Sequence, residues 1–222
     1  MRKIICSAFV SLDGVMQAPG GPDEDPTGGF AYGGWVFPYW DDVLDGLLSR
    51  LFEVPFDLLL GRKTYEIFAA YWPYIENDPI AESFNRVTKF VATRSSEPLA
   101  WHNSVAIRGD VPAELKRIKQ ADGPDLLVQG SSVLLHSLFA HGLVDELQVL
   151  TFPILLGPGK RLFAEDARPS ELKLVDSRTS TTGVTASRYL PGGPVRTGSF
   201  AAQEPSEAEL ARREKWRKEE GE

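Results

Sequence analysis

Short apolar runs punctuate the first 190 residues, and between them apolar side chains recur three and four positions apart. The runs predict strands over residues 3–10, 57–60, 89–93, 104–107, 126–129, 146–152, 172–177 and 184–189. The helical spacing predicts helices over 41–52, 63–71, 80–87, 112–120 and 132–141. Strands alternating with helices imply a mostly parallel sheet with helices on both faces, and the strand-rich final third implies an antiparallel C-terminal hairpin. The expected class is α/β.

Two segments break this rhythm. Residues 17–38 carry no period: Gly and Pro crowd the stretch from Pro19 to Gly29, and Phe30, Tyr32, Trp35 and Phe37 follow. Loops longer than about 12–15 residues are uncommon inside a compact domain and are usually functional or disordered. The aromatic end of this one favours a partly packed cover over an open pocket. After Pro191, Gly192-Gly193-Pro194 ends the pattern, and residues 204–222 are charged with few large apolar side chains. A domain over 1–191 and a tail over 192–222 are expected. Residues 208–220 are good helix formers with only Leu210 and Trp216 as large apolar groups. A solvated helix, a helix docked on a partner and a disordered chain are all open, and weak burial set against ordering entropy favours a frayed or disordered segment.

Composition removes several functions. With 42% hydrophobic residues in 222, the chain can bury a core without disulfides or structural metal. A net charge of −7 argues against nucleic acid, which needs a basic face, yet allows a local basic pocket for one small phosphate. The single cysteine, Cys6, excludes an internal disulfide and a multi-cysteine metal site, and fits a cytoplasmic location. No apolar run approaches the roughly 20 residues of a membrane span, and the apolar N-terminus is too short for a signal peptide. His102, His136 and His141 form no helical i, i+4 ligand pair, so no metal is expected. There is no Gly-x-Ser-x-Gly elbow, no Walker A motif and no Gly-x-Gly-x-x-Gly fingerprint after the first strand.

Three strand ends hold groups suited to phosphate. Leu58-Leu59-Leu60-Gly61-Arg62-Lys63-Thr64 turns through one glycine into a helix, aiming free N–H groups and the positive helix end at an anionic guest. Thr93, Arg94 and Ser95 end another strand with hydroxyls and a guanidinium. Leu126-Leu127-Val128-Gln129-Gly130-Ser131-Ser132 repeats the strand, Gly-Ser turn and helix start. Each also reads as an ordinary connection; three at one sheet edge carry more weight than any one.

These motifs, with Ser11-Leu12-Asp13-Gly14, Pro153-Ile154-Leu155-Leu156-Gly157 and Leu162-Phe163, occur in the order seen in dihydrofolate-reductase-like proteins. The chain most closely resembles, over residues 4–190, the C-terminal reductase domain of the bifunctional riboflavin-biosynthesis deaminase-reductase and its stand-alone bacterial relatives. That resemblance implies a homodimeric NADPH-dependent reductase of a pterin-like or aminopyrimidine-like small molecule, of the 5-amino-6-ribosylaminouracil reductase or dihydrofolate reductase type. It implies cofactor contacts at Gly61, Arg62, Lys63, Thr64, Thr93, Arg94, Ser95, Gln129, Gly130, Ser131 and Ser132. It places Ser11, Asp13, Trp35 and Phe152 near substrate, and names Asp13, then Asp41 or Asp42, as candidate catalytic acids, with water as an alternative proton source. Asp13 also reads as a turn residue, and Asp41 and Asp42 as helix caps. Those two acids follow Trp35-Val36-Phe37-Pro38 one and two residues later than the folate enzymes' carboxylate, which rotates a helical side chain by about 100° per residue. No deaminase domain is expected. A non-catalytic dinucleotide-binding sensor or interaction protein is the competing class.

Overall fold

The computed structural model describes residues 1–201 and 203–221; Ala202 and Glu222, both within the expected tail, lie outside the described residues. The predicted runs form β1 (Ile4–Ser11), β2 (Phe56–Gly61), β3 (Lys89–Ala92), β4 (Ser104–Ile107), β5 (Asp125–Gln129), β6 (Glu146–Phe152), β7 (Glu171–Thr179) and β8 (Thr185–Gly193). They make one sheet in the order β4-β3-β2-β5-β1-β6-β8-β7. The six strands from β4 to β6 pair in parallel, and β8 runs antiparallel to both β6 and β7. The expected parallel sheet with a C-terminal hairpin is what the chain builds. The central strands are mostly apolar because helices cover both their faces, with Ser7 and Gln129 among the exceptions.

The helices are α1 (Asp42–Glu53), α2 (Arg62–Ala69), α3 (Pro79–Arg86), α4 (Val111–Gln120), α5 (Ser132–Ala140) and α6 (Glu207–Glu220). On one face, Leu115 and Ile118 of α4 and Leu134, Leu135 and Leu138 of α5 close over Ile4, Cys6, Leu59, Leu126 and Val128. On the other, Tyr65 of α2 and Phe84 of α3 pack on Leu58, Leu60, Val91 and Leu127, while Leu44 of α1 packs in a separate cluster with Leu150 and Phe152. Each such side chain, fully buried, contributes about 1.5–3 kcal/mol. Buried Lys89 is the polar exception: its Nζ donates to the carbonyls of Phe84, Asn85 and Val87 at 3.0, 3.1 and 3.0 Å and lies 4.3 Å from the Trp101 ring centroid. It thereby satisfies carbonyls that the end of α3 leaves without helical partners.

The segment over 17–38 is partly packed, as its aromatic end implied, with Tyr32 and Phe37 left exposed. Phe30, Trp35 and Val36 are buried in the cluster with Leu150 and Phe152. Gln17 ties the segment down: its Nε2 donates to the carbonyls of Asp25 and Thr27 at 2.9 and 2.8 Å, and its own carbonyl accepts Trp35 Nε1 at 2.8 Å. In the tail, α6 is a solvated helix rather than a disordered segment. Ser206 caps its start, Arg212 and Arg213 pair with Glu209, and it buries no residue. Among the described residues no helix is long and apolar enough to cross a membrane.

Candidate functional site

Four helices begin with a side-chain cap: Asp41 on α1, Asp78 on α3, Asp110 on α4 and Ser206 on α6. The two that begin without one, α2 and α5, start side by side. Gly130 and Ser131 both adopt left-handed backbone, with φ of 63° and 65°. This turns the Ser131 hydroxyl away from its own helix to accept Gly61 N–H at 2.9 Å. A left-handed Ser is uncommon and costs of order 1 kcal/mol, so the turn is held by its surroundings. The two turns are in van der Waals contact: a Cβ on Gly61 would meet Ser131 at 3.5 Å, and one on Gly130 would meet Thr64 at 3.7 Å. Two sets of unused helical N–H groups thus converge at the carboxyl edge of the sheet, where open α/β sheets bind ligands.

A basic rim adjoins them at the ends of β3 and β4. Thr93 is buried and its hydroxyl accepts Ser95 N–H at 3.0 Å, fixing the turn that presents Arg94. Arg94 and Lys63 are exposed and pair with no carboxylate among the described residues. Arg62 is committed elsewhere: its Nε meets Glu66 at 2.6 Å and its NH1 donates to the Glu97 carbonyl at 3.1 Å. Arg108, which the sequence reading missed, donates through Nε to the Ser95 carbonyl at 3.2 Å and completes the rim. Its signal was faint, a basic residue just beyond the fourth strand.

The candidate acids are mostly occupied. The Asp13 carboxylate accepts Ser11 Oγ at 2.6 Å, Leu156 N–H at 3.1 Å and Gly157 N–H at 2.8 Å. These bonds, led by the Ser11 hydroxyl, hold its pKa down to about 2, so it is ionised at neutral pH and locks the end of β1 to the loop after β6. Asp41 caps α1 at Leu44 N–H, 3.0 Å, and accepts the Thr181 N–H and hydroxyl at 2.8 and 2.6 Å. These bonds, the Thr181 hydroxyl first, lower its pKa. Asp42 is exposed beside a shallow hollow of about 200 Å³. That is below the roughly 300 Å³ of ordinary ligand pockets. A larger hollow of about 570 Å³, lined by Phe139, Ala140, His141, Gly142 and Arg168, lies at the opposite end of α5 from the converging turns.

The proposed substrate contacts are core residues. Ser11 is 1% exposed and Phe152 fully buried, while Trp35 stacks edge-on against Phe152 with centroids 5.2 Å apart. What the sheet face away from α4 and α5 holds instead is Ser7 and Gln129, opposite each other on β1 and β5. Ser7 is buried, and Gln129 Nε2 is buried with no hydrogen-bond partner among the described residues. A buried amide donor without an acceptor costs about 1–3 kcal/mol, so it marks a place where a ligand acceptor fits. Polar residues inside two apolar strands were the readable signal; Ser7 was overlooked.

Sequence and structure comparisons agree on relatives. The chain is 27% identical over 197 residues to the uncharacterized protein YyaP of Bacillus subtilis, covering 85% of this chain and 94% of that one. The deaminase/5-amino-6-(5-phosphoribosylamino)uracil reductase of Thermotoga maritima superposes with a TM-score of 0.57 at 15% identity, over 86% of this chain and 57% of that one. The dihydrofolate reductase of Enterococcus faecalis, solved with NADP(H) and RAB-propyl, superposes with a TM-score of 0.53 at 15% identity, over 85% and 96%. The sheet is therefore dihydrofolate-reductase-like. The family model of the RibD C-terminal domain matches residues 2–186, nearly the whole of the sheet and its helices, and the chain belongs to that family.

Proposed function

We propose that the chain is an NADPH-dependent reductase of an aminopyrimidine-like or pterin-like heterocycle. The observation that carries this is the pair of abutting, uncapped helix N-termini beside a basic rim. These residues would hold a dinucleotide: the N–H groups opening α2 and α5 would take its pyrophosphate, and Arg94 and Arg108 a ribose 2′-phosphate. NADPH, when bound, supplies the hydride. The family membership and the reductase activity for which the Thermotoga relative is named support a nitrogen heterocycle as acceptor.

The chain's own residues mostly place and shield. Gln129 Nε2 offers a desolvated donor on the sheet face away from α4 and α5, and Ser7 beside it adds a hydroxyl. Asp13 sets the end of β1 through Leu156 and Gly157 without giving up a proton. With Asp13 ionised, Asp41 engaged and Asp42 in solvent, the proton that completes reduction comes from water. The test is to incubate protein and NADPH with 5,6-diaminouracil, dihydrofolate and a quinone, following loss of the reduced nicotinamide. Oxidation dependent on one of the heterocycles is expected. Tight NADPH binding with no turnover against any of them would favour a dinucleotide sensor.

A further inference from the structure

The carboxyl edge of the sheet changes character along the strand order. Toward β4, β3 and β2 it is basic, with Arg108, Arg94 and Lys63. Toward β1 and β6 it is apolar and acidic. Leu12 and Leu155, 68% and 70% exposed, follow those strands, and Leu12 N–H donates to the Ile154 carbonyl at 2.8 Å, tying their loops together. Residues 4–49, which supply β1, the segment over 17–38 and most of α1, hold seven carboxylates and no lysine or arginine. Asp41 is bonded to Thr181, in the β7–β8 turn at the carboxyl end of β6, so α1 starts at this rim. Asp42 and Asp45 are exposed in its first turn, while its cation, Arg50, lies in the last. The cations that arrive from elsewhere are matched. Lys160 pairs with Asp25, Arg188 meets Glu146 at 3.3 Å, and Arg161 donates to the backbone carbonyls of Asp13 and Gly157, beside the ionised Asp13 carboxylate.

The sheet face leading to this half of the rim is neutral. Gln129, Ser7 and Gln148 stand side by side on β5, β1 and β6. Two residues beyond Ser7, Phe9 meets Trp40 edge-on with centroids 5.8 Å apart, and Trp40 Nε1 donates to Asp45 at 2.5 Å. From this division we infer that the compound reduced here carries no phosphate or other anionic tail, and that Asp42 and Asp45 hold such compounds off. The inference rests on the reductase reading and narrows its substrate class to an uncharged ring. A phosphate brings about 1.5 to 2 negative charges at neutral pH, and a cleft lined by one sign of charge alters encounter with an ion by about 10–10³. The partnerless Gln129 Nε2 takes a ring carbonyl or ring nitrogen with no charge on either side. Charge thus sorts the two ligands along one edge, the dinucleotide phosphates to the basic half and the uncharged ring to the other.

The test compares two matched pairs in the presence of NADPH. One is 5-amino-6-(5-phosphoribosylamino)uracil against its phosphate-free ribosylamino form; the other is dihydrofolate against 6-methyl-dihydropterin, which lacks the glutamate. The ratio kcat/KM is read at low and high salt for wild type and for the double variant Asp42→Lys, Asp45→Asn, whose asparagine still accepts from Trp40. Calorimetry of each compound against the NADP⁺-loaded protein makes the same comparison without turnover. In at least one pair the uncharged member is expected to be favoured at least about tenfold at low salt, and that preference should shrink at least about threefold in high salt and in the variant. An anionic member favoured or equal in both pairs, or a preference that neither salt nor the variant moves, overturns the inference. So does NADP⁺-loaded protein that binds none of the four compounds. Failure to bind NADP⁺ itself removes the reductase reading, and this inference with it.

Discussion

At the scale of single residues, the structure separates groups that hold the fold from groups free to act. Asp13 belongs to the first kind. Its folded pKa of about 2 lies below the ordinary 3.8, so its contribution to stability is present above that ordinary value and is lost as pH falls through about 2. Asp13→Asn should therefore lower Tm at neutral pH, with the gap to wild type closing near pH 2, as read by thermal melts across that range. Asp42→Asn, by contrast, should leave turnover within about twofold, because an exposed carboxylate is not the proton source. Lys89→Met should cost about 1–3 kcal/mol in denaturant melts, since three carbonyls at the end of α3 lose their donor. The Ser-x-Asp-Gly motif was legible as a turn from its Asp-Gly pair. That the carboxylate would be filled by N–H groups more than 140 residues away was not, because no local pattern records which loop returns to β1.

At the scale of elements, the strand ends and helix starts were the most readable features, since apolar runs ending in Gly or Ser leave the backbone few other conformations. The turns at Gly61 and Gly130 fell where expected, and their mutual contact through Ser131 is the part that only folding reveals. Gly130→Ala should cost about 1–2 kcal/mol, because φ is +63° there, and should weaken dinucleotide binding with it; paired melts and titrations check both. The segment over 17–38 is partly packed, as its aromatic end implied, but Trp35, expected near substrate, is buried edge-on against Phe152 in the core.

At the scale of the whole molecule, alternation of strands and helices was enough to foresee the parallel sheet and its terminal hairpin, while the strand order depends on long-range pairing that the chain spells out nowhere locally. The tail is an element apart: α6 buries no residue, so removing 205–222 should shift Tm by no more than about 2 °C. The carboxyl edge of this sheet is the proposed site for a phosphorylated dinucleotide. Calorimetric titration with NADPH and with NADH, on wild type and Arg94→Ala, tests it most directly. Wild type is expected to prefer NADPH, and Arg94→Ala to lose about 1–3 kcal/mol for NADPH while NADH is nearly unchanged. Equal losses for both cofactors would contradict the role of the rim, and no binding of either to wild type would contradict the site itself.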